Sequence, residues 1–336
     1  VNRRELLKAG LNSGMVLLLP GAALWNTRDD GRTLAQEQEQ LFFEREFFAM
    51  GTRGTLRLVA GSRAVGARAL DDALARITYL EAKLTKFSPY SDIGRLNAAP
   101  GKDVYVSRDT ASVLRLALDL GAEASGRFDV GMGNFLSRPG LDTRVPLVGG
   151  AGDHRGRVTG EGLRSDPLLE IRGRHVRLAR PGTMLDLGGI GKGYAVREAI
   201  RLLRQQHAIE HAAIELGGDL AFHGGRSAAA PWRIGLDPQA PIAASDRKII
   251  RISTGAVASS GGYRKRATRD AGAIKHHIVD PITRTSQDHY ALATVVGPDA
   301  AVADALATAF FNTPADAAER LMRRFPAYQF HSFDKA

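Results

Sequence analysis

The chain has 336 residues, 44% of them hydrophobic, with 46 lysines and arginines against 36 acids and a formal net charge of +10. That length is enough for a sizeable core in one large or two fused domains. The absence of cysteine excludes disulfides, thiolate metal sites, a cysteine nucleophile and a cysteine-linked lipid anchor. The basic residues are scattered through every segment, which points to a solvated surface suited to anionic ligands and away from nucleic acid.

In chain order, residues 1–25 resemble a twin-arginine export signal. Asn2-Arg3-Arg4-Glu5-Leu6-Leu7-Lys8 leads into an apolar stretch from Ala9 to Leu24 that Pro20-Gly21-Ala22-Ala23 closes. The stretch is short for a membrane span of about 20 residues. The expectation is export to the periplasm with cleavage near Ala22 or Ala23, or retention at the inner membrane if uncleaved, and no span in the mature chain. A basic amphipathic helix is the plainer alternative. Residues 26–40 read as a linker and 41–336 as the working domain.

Phe42, Phe43, Phe47 and Phe48 lead into Met50-Gly51-Thr52, and Thr55-Leu56-Arg57-Leu58-Val59 alternates as a strand does. Leu70, Ala73, Leu74, Ile77, Leu80 and Leu84 predict an amphipathic helix over Ala67 to Lys86. A polar loop is expected from Phe87 to Asn97, then a helix from Asp109 to Ser125 capped by Asp109, then a glycine-rich strand start at 126–131. Residues 139–167, dense in Gly, Pro, Arg and Asp, read as a surface excursion. Strands are expected at 168–171, 175–178, 212–216, 232–236, 248–252, 255–263 and 291–296. An irregular basic loop precedes His276, and helices are expected at 298–311 and 314–325.

The densest stretch is Leu185-Asp186-Leu187-Gly188-Gly189-Ile190-Gly191-Lys192-Gly193-Tyr194-Ala195, read as strand, glycine turn and amphipathic helix. Glycines before a helix start let backbone approach an anion, whose charge the helix dipole favours. Both standard phosphate templates fail, because Gly193 follows Lys192 and Tyr194 stands where a third glycine is due. Phosphate binding and a plain tight turn both remain open on spacing alone.

Asp304 and Thr308 lie four apart on an expected helix, with Cβ atoms about 5–6 Å apart on one face. A carboxylate, a hydroxyl and a nearby carbonyl are hard oxygen donors suited to Mg²⁺. No H-E-x-x-H pair occurs, and Ala258 breaks a serine nucleophile elbow around Ser260. His277, beside Asp280, is a candidate general base held near an acid.

Taken together, seven motifs between Met50 and about Phe311 resemble the ApbE-type FAD:protein FMN transferase family. They are Met50-Gly51-Thr52; Phe87 to Asn97; Phe128-Asp129-Val130; Leu185 to Ala195; Glu215-Leu216-Gly217-Gly218-Asp219; Val257 to Gly261 with His277-Ile278-Val279-Asp280-Pro281; and Ala303 to Ala309. The resemblance implies an α+β, T-fold-like architecture of mixed, largely antiparallel sheets flanked by helices. It implies transfer of FMN from FAD to a Thr or Ser hydroxyl with release of AMP and the help of Mg²⁺. The acceptors would be flavin-carrying subunits of membrane redox complexes. Alternatives are hydrolysis of FAD to FMN and AMP at the same site, or flavin binding without turnover. By motif, Met50, Phe87, Arg127, Phe128, Asp129, Asp186, Lys192 and Ile278 would contact FAD. The Gly189 carbonyl, Asp304 and Thr308 would hold the metal, while His277, Asp280 and Lys192 would serve catalysis. The chain departs from the family pattern at Phe87, where a tyrosine is usual, at Gly189, often alanine, and at Gly262, where an acid is common.

Overall fold

A computed structural model describes residues 40–136, 167–180, 182–227, 230–235, 240, 242–243, 249–262 and 276–334, together with the backbone of Leu17–Leu18. Apart from the backbone of Leu17–Leu18 and residue 40, the signal and linker expectations lie outside the described residues, as do nearly all of the 139–167 excursion and the basic loop before His276.

The centre is an open seven-stranded sheet in which all neighbours run antiparallel. Its strands are β2 (Leu41–Ala49), β3 (Thr52–Ala60), β7 (His211–Leu216), β8 (Asp219–His223), β11 (Gly255–Ser260), β12 (Leu292–Gly297) and β13 (Gln329–Phe333), in the spatial order β13-β12-β11-β8-β7-β3-β2. The inner strands are covered on both faces, so β7 and β8 read as nearly continuous apolar runs. Alternation decides which face each side chain takes. Ala212, Ile214, Leu216, Ala221, Ala256 and Ala258 face the main core. Ala213, Leu220, Phe222 and Val257 face Trp232 and Ile234 of a small sheet. That sheet joins β9 (Trp232–Gly235) to β10 (Ile249–Ile252) and to the two-residue strand β1 (Leu17–Leu18).

Helices cover the main-core face. α1 (Arg63–Leu84) buries Ala69, Leu70, Ala73, Ile77, Leu80 and Leu84 against β2 and β3, each fully buried leucine or isoleucine contributing about 1.5–3 kcal/mol. Ser62 caps its start by accepting from the Val65 N–H at 3.3 Å, so it begins four residues before the expected Ala67. A short α2 (Asp92–Ala98) stands where a loop was expected, because Ser91 accepts from the Gly94 N–H at 2.8 Å and nucleates a turn despite Pro89. In α3 (Arg108–Glu123) the cap is Ser107, not Asp109. Asp109 turns instead to Arg76 and the Tyr194 hydroxyl.

A one-turn α4 (Gly133–Leu136) follows the glycine-rich 126–131 segment, which is loop rather than strand. The strands β4 (Asp103–Tyr105), β5 (Leu169–Arg172) and β6 (His175–Leu178) form a third sheet. Three helices remain: α5 (Gly191–His207), α6 (Ala300–Phe311) and α7 (Ala315–Met322). α5 lies against β7 and β8, α6 against β11 and β12, and the two helices pack on each other. Among the described residues no helix is long and apolar enough to cross a membrane.

Candidate functional site

The site forms where the N-terminus of α5 meets one face of α6. Asn97 at the end of α2 clamps the approach, donating from its amide to the Leu185 carbonyl at 3.0 Å and accepting from the Leu185 N–H at 2.7 Å. After Leu185 the chain turns through Gly188–Ile190 without forming the expected strand. α5 has no side-chain cap of its own at Ile190. Asp304 supplies one from α6, its Oδ2 accepting the Gly193 N–H at 3.0 Å across 111 residues of sequence. A carboxylate there is favoured by the positive end of the helix dipole.

Gly193 is required for this approach, because a Cβ on it would lie 2.2 Å from the Ala300 carbonyl oxygen and 2.6 Å from the Asp304 Cβ. Gly189 faces the next turn of α6, where a Cβ would meet Thr308 Oγ1 at 3.0 Å and the Phe128 ring at 3.3 Å. The glycine run therefore serves helix packing as much as ligand approach. The Gly191 N–H bonds to the Leu187 carbonyl at 2.7 Å and the Gly193 N–H to Asp304 at 3.0 Å, so these two donors of the helix start are already engaged within the fold.

Lys192 binds Asp219 Oδ2 and stands 3.7 Å from Asp304 Oδ2. Asp219 opens β8 after a hairpin whose Gly217 and Gly218 hold φ of 62° and 99°, as a two-residue turn demands. Glu215, on the other arm of that hairpin, accepts the Gly218 N–H at 3.0 Å. Burial pushes the Glu215 carboxyl up to about 7, against the Gly218 and Gly217 amides and the charges of Arg57 and Lys192. Asp219 and Asp304 are both raised, chiefly by burial. Burial alone would lower Lys192, but the charges of Asp219 and Asp304 outweigh it and keep the ammonium charged. One ammonium thus serves two buried aspartates, with a third acid beside them, so the cluster holds more acidic groups than basic ones.

Farther along α6, Thr308 Oγ1 is 3.4 Å from Ser260 Oγ, and the Asn312 carbonyl accepts from Arg127 at 2.9 Å. Arg127 also binds Asp280 at 2.8 Å. Asp280, expected to hold His277, directs its fully buried carboxylate to Arg127, the Thr283 hydroxyl and the Ile282 N–H. Ile278 packs with Ala293 and Phe311 as a core residue. Its neighbour His276 is locked by the Ile278 N–H and the Gln287 carbonyl.

Phe128 is buried against Gly189, and Asp129 accepts from the Gly131 N–H and from Arg180. Met50, at φ 50°, forms the β2–β3 turn whose Thr52 abuts Gly217. Asp186 is held by the Gly188 N–H at 2.7 Å and by Lys86 at 2.9 Å, and the Lys86 ammonium lies 5.1 Å from the centre of the Phe87 ring.

Structure thus gathers Gly189, Lys192, Asp304, Thr308 and Phe128 at one place, and ties Arg127 and Asp280 to the far end of the same helix. Lys86 and the acid pair Glu215 and Asp219 were given no role in the sequence reading. Lys86 closed the expected Ala67–Lys86 helix, and the two acids sat in a motif with nothing to show which cation they met. Among the described residues no cluster of three or more His, Asp or Glu side chains has metal-binding geometry.

A match to the ApbE family spans residues 50–330. The FAD:protein FMN transferase of Treponema pallidum (strain Nichols) is 28% identical over 302 residues, covering 84% of this chain and 82% of that protein. A second FAD:protein FMN transferase, from Klebsiella pneumoniae (strain 342), is 29% identical over 267 residues, 78% and 80% of the two chains. Among solved structures, the ApbE protein from Thermotoga maritima aligns with a TM-score of 0.69 at 26% identity, over 86% of this chain and 93% of that one. The flavin transferase ApbE from Vibrio cholerae aligns at 0.70 and 21% identity, over 88% and 97%, a likeness of fold. With that match running from the Met50 turn through α6 to β13, the chain belongs to the ApbE family.

Proposed function

We propose that this chain is an FAD:protein FMN transferase, which moves FMN from FAD to a threonine or serine hydroxyl of an acceptor protein and releases AMP. The observation that carries the reading is the meeting of Lys192 with Asp304 at 3.7 Å, with Thr308 packed against Gly189 one turn along the same helix. Relatives that bear the transferase name align across most of the chain.

The donors suit a divalent cation, Mg²⁺ in this reading. Asp304, Thr308 and the Gly189 carbonyl are hard oxygens, and the surrounding cluster has more buried acid than base to balance it. Bound there, the ion supplies Lewis-acid charge compensation to the diphosphate.

The acceptor hydroxyl oxygen attacks the phosphorus on the riboflavin side of FAD. The bond from that phosphorus to the bridging oxygen breaks, and AMP leaves with the oxygen. The hydroxyl proton passes to His277 as general base. Lys192 stays charged and offsets charge on the transferring group. Asp280 contributes by anchoring the His277 loop to Arg127. Met50, Phe87, Phe128, Asp129, Asp186, Ile278 and Arg127 frame the FAD site, with aromatic rings available for stacking on flavin. The acceptors are flavin-carrying subunits of membrane redox complexes, met in the periplasm after twin-arginine export.

The test is incubation with FAD, Mg²⁺ and a candidate acceptor, reading the acceptor's intact mass and the released nucleotides. One FMN adduct on Thr or Ser with matching AMP is expected. Free FMN and AMP without an adduct makes the protein a pyrophosphatase, and no AMP at all removes enzymatic turnover. His277→Ala should slow transfer on the order of 100-fold or more; an unchanged rate takes the base role from it.

A further inference from the structure

We propose that Asp219 is a positioning residue that seats the Lys192 ammonium away from Asp304 and so leaves the Asp304 carboxylate available to a divalent ion. The inference rests on the metal reading above and deepens it. Lys192 is the second residue of α5 and precedes Gly193, whose N–H already bonds Asp304 Oδ2. Its side chain therefore starts beside Asp304, yet the ammonium makes its closer contact with Asp219 and stops 3.7 Å short of Asp304.

Both acids are nearly closed to water, with side-chain exposures of 2% for Asp219 and 5% for Asp304. Their competition for one cation is thus little screened. Asp219 cannot follow the lysine if it moves. It is paired with Leu216 on β7 and Ala258 on β11, and it leaves a two-glycine turn set by positive φ at both positions. Asp304 is equally fixed, by the Gly193–Ala300 contact of the two helices. The mobile member is the lysine, and Asp219 decides where it rests. Without the Asp219 charge the ammonium closes on Asp304 and becomes a built-in competitor for the metal.

The experiment titrates Mn²⁺ into the full chain without FAD by calorimetry, for wild type, Asp219→Asn, Lys192→Met and the double variant, with unfolding midpoints recorded alongside. Asp219→Asn should weaken Mn²⁺ binding about 10–100-fold, the usual effect of losing a residue that supports a ligand. Adding Lys192→Met should restore it to wild-type strength or better, because the competitor is gone. A double variant as weak as Asp219→Asn overturns the proposal, since Asp219 would then be a ligand or a structural part. An Asp219→Asn protein that binds like wild type also overturns it. Lys192→Met alone is an arm that leaves Asp219 untouched: binding at least as tight as wild type supports the proposal, and a loss of about tenfold or more overturns it. Wild-type protein that binds no Mn²⁺ removes the metal reading itself, and the inference with it. Tight wild-type binding with an unchanged Asp219→Asn removes the inference alone.

Discussion

Asp280 and Asp304 are both buried carboxylates that meet a cation beside α6, and they differ in how completely they are answered. Asp280 faces Arg127 at 2.8 Å, with the Thr283 hydroxyl at 3.1 Å and the Ile282 N–H at 3.0 Å completing its shell. Asp304 shares Lys192 with Asp219, and Glu215 stands close enough that its charge raises Asp219 further. A buried acid with its own partner holds structure together, since removing either member strands a charge. A buried acid that must share has capacity left for a proton or a metal ion, the usual condition of a working site.

The largest effect that tests this contrast is on stability. Asp280→Ala leaves Arg127 facing the Asn312 carbonyl without its counter-ion and should cost about 3–5 kcal/mol of unfolding free energy, read from urea denaturation. Asp304→Asn keeps the amide-accepting oxygen over Gly193 and removes one of the two carboxylates that share Lys192. Its stability should stay within about 1 kcal/mol of wild type, while FMN transfer falls on the order of 100-fold or more. If Asp304→Asn unfolded as readily as Asp280→Ala, the two acids would be doing the same job and the contrast would be lost.

A pH series sharpens it further. Glu215 is raised from 4.5 to about 7 by burial, so between those values the folded chain holds a proton that the unfolded chain has released. Stability attributable to Glu215 is therefore full below pH 4.5, declines as pH rises to 7 and is flat beyond. The span is worth on the order of 3 kcal/mol at about 1.36 kcal/mol per unit. Glu215→Gln should remove that decline and leave the protein more stable than wild type at pH 8, as measured by urea midpoints across the range. A wild-type and variant pair with parallel pH profiles would mean that Glu215 is ionised at neutral pH and that the cluster is less crowded than its geometry indicates.

The sequence carried the frame of this site more clearly than its workings. Alternation in Thr55–Val59 and the apolar rows of α1 and α6 marked real strands and helices, because burial on one face leaves a period in the chain. The order of motifs brought Gly189, Lys192, Asp304 and Thr308 together before any coordinates, and they are together. What stayed hidden depended on partners distant in sequence. Ser91 and Ser107 were passed over as caps because Pro89 and Asp109 gave the louder local signals. Lys86 closed the expected helix with no partner assigned to it, yet its side chain is 5% exposed and meets Asp186. Asp219 lay in a recognised motif, but only the fold of β8 against α5 shows that it takes the same lysine as Asp304. The glycine run left phosphate approach and a tight turn open, and the fold adds a third use that spacing could not show, the close contact of Gly193 with α6.

That contact gives the smallest and most discriminating change. In Gly193→Ala the new Cβ would sit 2.2 Å from the Ala300 carbonyl oxygen, a backbone atom that cannot rotate away, so α6 must retreat from α5. Overpacking of this kind costs about 1–3 kcal/mol, and the better helix propensity of alanine returns up to about 1 kcal/mol. The net loss of stability should thus be on the order of 1 kcal/mol by urea denaturation. The retreat acts at the one point where the Gly193 N–H meets Asp304 Oδ2, so it also withdraws Asp304 from Lys192 and from the Gly189 turn. Mn²⁺ affinity should fall about tenfold, out of proportion to the small change in stability. A glycine kept for phosphate approach would give the opposite pattern, with Mn²⁺ binding untouched and only FAD affinity reduced, and calorimetric titration of the two ligands separates the cases.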